Sequence, residues 1–139
     1  MAREIKLAGF KYTKLSAERV EDFKGDLKIT PNINISNIDK PKSSIKQDSL
    51  VVDFIFGVDY NGLGKIELFG KMYLIVDSKT VKEVIDGWNL KKLDNEINMV
   101  ILNIIMQKAS LKALELEEEL NLPPHIQLPR LQLEKQEKN

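Results

Sequence analysis

The sequence predicts an α+β fold: four β-strands, then a short helix, a long C-terminal helix and an extended Pro-rich arm. Three observations carry that prediction. Residues 50–76 hold two alternating apolar runs joined by a short Gly-rich loop, the pattern of a hairpin. Apolar residues over 93–120 recur at steps of three and four, the period of a helix. Leu-Pro-Pro-His-Ile-Gln-Leu-Pro (122–129) then stops that helix, because proline fixes φ and lacks a donor. Strands first and helices after them predict helices laid on one side of a sheet.

The first strand is expected over 8–20, with Phe10, Tyr12, Leu15, Ala17 and Val20 as its apolar residues. Their parity changes between Tyr12 and Leu15, which one bulge explains. Gly25-Asp26 reads as a turn. Leu27, Ile29, Ile33 and Ile35 alternate with polar neighbours as a half-buried strand, and Pro31 places it at a sheet edge or a bulge. Ser36 to Ser49 is polar and Lys-rich and reads as a long connection, with Ile38 and Ile45 its only large apolar residues.

The third strand puts Leu50, Val52, Phe54, Phe56, Val58 and Tyr60 on one face. After Asn61-Gly62-Leu63-Gly64, the residues Ile66, Leu68, Met72, Leu74 and Val76 continue the same even-numbered face. Phe69, Tyr73 and Ile75 make the odd-numbered face partly apolar too, which asks for a second cover. Asp77 to Thr80 offers N-caps for a short helix carrying Val81, Val84, Ile85 and Trp88. Asp94 or Asn95 caps the long helix. That helix shows two apolar rows: Leu93, Ile97, Ile101, Ile104, Ile105 and Leu111, and Met99, Leu102, Met106, Ala109, Ala113, Leu116 and Leu120. One row suffices to sit on a sheet, so the second predicts a partner subunit.

One domain is expected over 1–133, and the charged residues 134–139 read as a disordered tail. Lys+Arg and Asp+Glu are equal at 21 each, which argues against a nucleic-acid partner and against electrostatic capture by membranes. The absence of cysteine and the single histidine exclude thiol chemistry and multi-histidine metal sites, so no cofactor is expected. The start lacks the apolar core of a secretory signal, and the run Met99 to Met106 is too short to span a bilayer. The expectation is a cytoplasmic protein with no membrane insertion.

Candidate catalytic residues are few. Gly62-Leu63-Gly64-Lys65 joins two strands, whereas a phosphate loop leads into a helix. His125 has no second histidine or cysteine to work with and reads as an ordinary turn or surface residue. Asp53 and Asp59 share a strand face and read as solvated. Glu117-Glu118-Glu119 oppose the helix dipole and read as a solvated face rather than a docking surface. No nucleophile–base or metal constellation is visible, so an enzyme is not expected. Trp88, Leu90, Ile38 and Ile45 lie on or beside connections, where such residues either cover the core or line a groove for apolar segments.

The order of elements resembles the SecB-like protein-export chaperones. Tyr12-Thr13-Lys14-Leu15-Ser16 is similar to a string in that family's first strand, and Leu50 to Tyr60 with Lys65 to Val76 resembles its central hairpin. Leu120-Asn121-Leu122-Pro123-Pro124-His125-Ile126-Gln127-Leu128-Pro129 resembles its Pro-containing stretch after the long helix. The resemblance implies a four-stranded antiparallel sheet, a dimer of dimers, and an ATP- and metal-independent groove holding non-native polypeptides. In this sequence the groove would be lined by Ser36–Ser49 and Leu122–Leu128. The client-binding candidates are then Ile38, Ile45, Trp88, Leu90, Leu122, Ile126 and Leu128. The candidates for the subunit interface are Met99, Leu102, Met106, Ala109 and Ala113, and Glu67 alone matches the family's acidic docking surface. Some SecB-like proteins serve antitoxins, so a dedicated partner-binding or scaffold role is the alternative to a general chaperone.

Overall fold

The computed structural model describes residues 4–41 and 48–127. Strands β1 (Lys6–Arg19), β2 (Thr30–Asp39), β3 (Ser49–Asp59) and β4 (Gly64–Ile75) precede helices α1 (Ser78–Asn89) and α2 (Asn95–Glu119). The sheet is antiparallel with the order β1-β4-β3-β2, so the α+β expectation holds. Of the arm, the part to Gln127 lies within the described residues.

The hairpin is closed by a three-residue loop, Asn61 to Leu63, with Tyr60 N–H bonded to Gly64 O at 3.1 Å. Asn61 (φ 54°) and Gly62 (φ 98°) both take left-handed conformations, and Leu63 N–H donates to Tyr60 O at 3.2 Å. That is a type I′ turn, whose twist matches that of the strands it joins. The register runs from Ser49 opposite Ile75 to Asp59 opposite Lys65, so every even residue of β3 faces an even residue of β4. Leu50, Val52, Phe54, Phe56, Val58, Tyr60, Ile66, Leu68, Met72 and Leu74 are all fully buried on that side. At Gly70 a Cβ would come within 2.6 Å of both the Lys11 carbonyl and the Phe54 ring, so only glycine lets that ring lie flat on the sheet.

β1 and β2 occupy opposite edges, so residues 20–29 must cross the hairpin tip. They are tied there by Val20 N–H to Leu63 O at 2.7 Å and by Asn61 Nδ2–H to Asp26 O at 3.0 Å. The expected bulge in β1 is present between Tyr12 and Lys14, and a second irregularity lies between Leu7 and Gly9. β2 sits at an edge, where Pro31 is tolerated.

β2 does not end at Ile35. It starts later than Leu27 and continues to Asp39, and the reason is a register shift between Ile35 and Asn37. The extra residue restores parity, so Ile38 faces Val52 and joins Ile33 and Ile35 on the covered side. Sequence alternation breaks at Ser36, but the strand does not.

Both helices open on aspartate caps: Asp77 accepts from Thr80 N–H at 2.8 Å, and Asp94 from Ile97 N–H at 3.2 Å. Donation from the backbone and hydroxyl of Thr80 holds the Asp77 carboxyl below its ordinary range. Both helices also end alike. Lys91 (φ 58°) and Asn121 (φ 56°) are left-handed, with Lys92 N–H bonded to Gly87 O at 2.7 Å and Leu122 N–H to Glu117 O at 2.8 Å. Those 6→1 bonds are Schellman closures, in which the left-handed residue turns the chain sharply off the helix axis.

α2 lies on the even-numbered face. Ile97, Ile101, Ile105, Ala109, Ala113 and Glu117 form its buried row, each one turn beyond the last. Ala109 and Ala113, expected in the second row, therefore pack on this chain's own sheet. Leu111, expected in the first row, is 69 % exposed. By length and composition α2 could cross a membrane, since the apolar stretch extends well beyond Met99 to Met106. Its buried row instead lies on the sheet. On the open, odd-numbered face, Lys11 and Lys14 reach over the rings of Tyr73 and Phe69 at 5.7 and 5.3 Å, and Lys71 pairs with Asp53 at 3.1 Å. Within the single chain, lysine side chains partly cover the aromatic residues that asked for a second cover.

A non-glycine residue in the left-handed region carries a steric penalty that glycine escapes. Lys91→Gly is expected to raise unfolding stability by about 1 kcal/mol, read from urea midpoints at constant m-value.

Candidate functional site

Width decides where a site can form. Three strand spacings put the edge axes of the sheet about 14 Å apart, whereas a helix with its side chains is only about 10–12 Å across. A single α2 therefore leaves a strip of apolar sheet uncovered on each flank. On the β1 side Phe10 and Tyr12 occupy the strip, packed on Phe54 and on each other with ring centroids 5.0–6.4 Å apart, and leave a smaller hollow of about 300 Å³ against Lys108, Leu111 and Lys112. Tyr12 O–H reaches Lys108 O at 3.4 Å, and burial pushes its hydroxyl pKa up.

The β2 side stays open as a groove of about 720 Å³. Ile33 and Ile35 form its sheet wall, Leu102 and Asn98 its helix wall, and Trp88 and Leu93 close one end. Among the described residues β2 pairs only with β3, so its outer side presents main-chain groups not taken up by a neighbouring described strand. The groove thus pairs five apolar lining residues with the polar Asn34, Asn89, Lys91 and Asn98, and is bordered by an open strand edge.

The other end of the same flank is occupied by the arm. Glu117 is 1 % exposed, and its carboxylate accepts from the Tyr60 hydroxyl; His125 Nδ1–H lies 3.1 and 3.0 Å from its Oε1 and Oε2. The His125 ring is fully buried, with Nε2 3.1 Å from Ser110 Oγ and its plane nearly perpendicular to the Phe56 ring. Tyr60 O–H also reaches Pro123 O at 2.9 Å. A carboxylate only accepts, so Nδ1 must carry the hydrogen on that side. Burial, followed by the Glu117 hydrogen bond and its charge, pushes the Tyr60 hydroxyl far above its ordinary value.

Two readings from sequence are corrected here. Glu117 is not part of a solvated acidic face, because α2 drifts across the sheet and brings this one of the three glutamates underneath. His125 is not a surface histidine, because the turn at Asn121 folds the arm back onto α2. Chain distance hid the match: Tyr60, Ser110, Glu117 and His125 converge only after the hairpin and the arm are placed. Sequence offered one faint signal, a lone histidine four residues past a helix stop rich in glutamate. The order Ser110, His125, Glu117 copies the hydrogen-bonding chain of a nucleophilic triad. A nucleophile must meet its substrate, however, and Ser110 is buried mid-helix between His125 and Met106 Sδ. The arrangement fastens the arm.

Of the client-binding candidates, Trp88 lines the groove, while Leu90 is 70 % exposed and is not among the lining residues. Ile38 and Leu122 are core residues, at 2 % and 5 % exposure, and Ile126 is exposed on the arm. Ile45 and Leu128 lie outside the described residues. Among the interface candidates, Met99 and Met106 are exposed and Leu102 lines the groove. Glu67 lies on the open face of the sheet, 3.5 Å from Lys65.

No protein-family model matches the chain, and no curated protein matches it by sequence. Its fold is similar to that of a SecB-like chaperone of Mycobacterium tuberculosis, solved in complex with a ChAD peptide from the HigA1 antitoxin. The TM-score is 0.60 at 11 % identity, over 94 % of this chain and 91 % of that one.

The Tyr60–Glu117 contact gives a pH signature. Because the folded state holds the Tyr60 proton more tightly than the unfolded chain, stability is full below the unfolded tyrosine pKa and falls as pH rises above about 10. Tyr60→Phe should lose about 1–3 kcal/mol at neutral pH, since buried Glu117 loses a donor. It should also show a shallower alkaline decline than the wild type in urea titrations across that range.

Proposed function

We propose that this protein is an ATP-independent chaperone that holds extended apolar polypeptide segments in the groove between α2 and β2. The observation that carries the reading is the groove itself: Ile33, Ile35, Trp88, Leu93 and Leu102 beside an open strand edge. An extended segment can place alternate side chains on the apolar wall and its main chain along β2, the geometry of strand addition. Burial supplies roughly 25 cal/mol per Å² of apolar area, before the cost of ordering the segment. The similar fold of a chaperone solved with an antitoxin peptide supports binding of a polypeptide partner. A role in protein export and a cytoplasmic location belong to the same proposal.

The exposed α2 residues support a homo-oligomer. Met99 and Leu111 are 60 % and 69 % exposed, more than a helix with one covered side needs to show. A second copy packed on α2 would bury them, and a dimer of dimers is the assembly that fits the resemblance.

Trp88 is the protein's only tryptophan, so it reports occupancy directly. Titration with unrelated apolar peptides should shift its emission to the blue, and Leu102→Asp should weaken binding about tenfold or more. Suppressed aggregation of several unrelated unfolded proteins, without nucleotide, supports the chaperone. Response to a single partner favours the scaffold reading, and no response to any peptide rejects both. Light scattering should give a tetramer that Met99→Glu with Leu111→Glu breaks down, and a monomeric wild type would reject the assembly.

A further inference from the structure

The groove has a defined far end, and both of its walls lead to the same side chain. On α2, Asn98, Leu102, Met106 and Ser110 form one row at four-residue spacing. The first two line the groove, while Ser110 Oγ is 3.4 Å from Met106 Sδ and 3.1 Å from His125 Nε2. On the sheet, Ile33 lines the groove and stands opposite Phe56, whose ring centroid is 5.6 Å from that of His125. From Leu102 to Ser110 is about 12 Å of helix, the span of about four extended residues.

The tie that holds this end is concentrated. Asn121 O accepts from Arg19 Nη1 at 2.6 Å, and Leu122 N–H closes the helix end on Glu117 O. Past Leu122, no backbone–backbone hydrogen bond holds the arm among the described residues. Among the described residues it is fastened there by the ring of His125, bonded on both nitrogens, and by Tyr60 O–H, whose one hydrogen is shared between Glu117 and Pro123 O.

We propose that His125 is the end stop of the groove and sets the length of segment it accepts. Glu117 and Ser110 act as positioning residues that keep the ring in place. This inference rests on the peptide-binding reading and adds a specificity determinant to it. With the pair in place, a bound segment meets the arm Asn121–Gln127 and can gain no further burial. With the pair removed, the arm swings off and the strip over Phe56 becomes available to the segment.

The test compares wild type with Glu117→Leu/His125→Leu, which removes both polar groups together so that no charge is left orphaned. Hydrogen exchange is read at Leu122, whose N–H is bonded to Glu117 O where the arm leaves α2, and binding of one apolar sequence is read through Trp88 at lengths from about six to about fifteen residues. In wild type, affinity should rise with length and then level off. In the double variant the Leu122 amide should exchange faster while those of β3 and β4 stay protected. Affinity for the longest peptide should rise about tenfold, with the shortest unchanged. Ser110→Ala, which leaves the Glu117–His125 pair intact, should give the same changes in smaller measure even if the double variant fails to fold. A Leu122 amide that stays protected, or a freed arm with an unchanged levelling length, overturns the end stop. If wild type binds no peptide of any length, the peptide-binding reading fails, and the exchange data still report separately whether the pair holds the arm.

Discussion

Most features of this structure follow from one mismatch: a four-stranded sheet with a wholly apolar face, and one long helix too narrow to cover it. The even-numbered side chains of β3 and β4 meet across the sheet without a break, so the centre must be kept dry along its whole length. α2 does that with a row that steps every fourth residue. The flanks are what remains. The chain treats them differently, and that asymmetry is where its binding surface arises.

On the β1 flank, large aromatic side chains from the edge strand reach the helix and narrow the gap. The β2 edge carries only isoleucines, which are too short to do the same. Its strip is therefore shut at the two ends by connections. α1 and its sharp left-handed exit seal one end with Trp88 and Leu93, and the arm seals the other. Both seals depend on Schellman closures, because a helix that ran on straight would carry the following chain away from the sheet.

The far seal is polar although its surroundings are apolar. A buried carboxylate is tolerable only if donors surround it, and Tyr60 and His125 come from opposite directions to supply them. Such a set is all or nothing: complete, it locks the hairpin end, the helix end and the arm together, and incomplete, it leaves an unpaired charge in the core. The apolar contacts of Leu122 alone would hold the arm less specifically.

Several elements were legible in the residues alone because they depend on near neighbours. Alternation over Leu50 to Val76, the Asn61-Gly62 turn, the aspartate caps and the proline stop after Leu120 are local patterns with local causes. Even the first bulge showed itself as a change of parity. The second misled, since Ser36-Asn37 looks like the start of a loop until the partner strand shows that Ile38 regains the covered face. The two helix rows were partly misassigned for a related reason: α2 drifts over a twisted sheet, so Ala109 and Ala113 turn inward and Leu111 outward. What the sequence by itself determined was the kind and order of the elements and the existence of an apolar face. Only the tertiary structure decided that one flank stays open and that Glu117 meets His125. Both depend on the relative widths and directions of packed elements, and no residue carries those in its own neighbourhood.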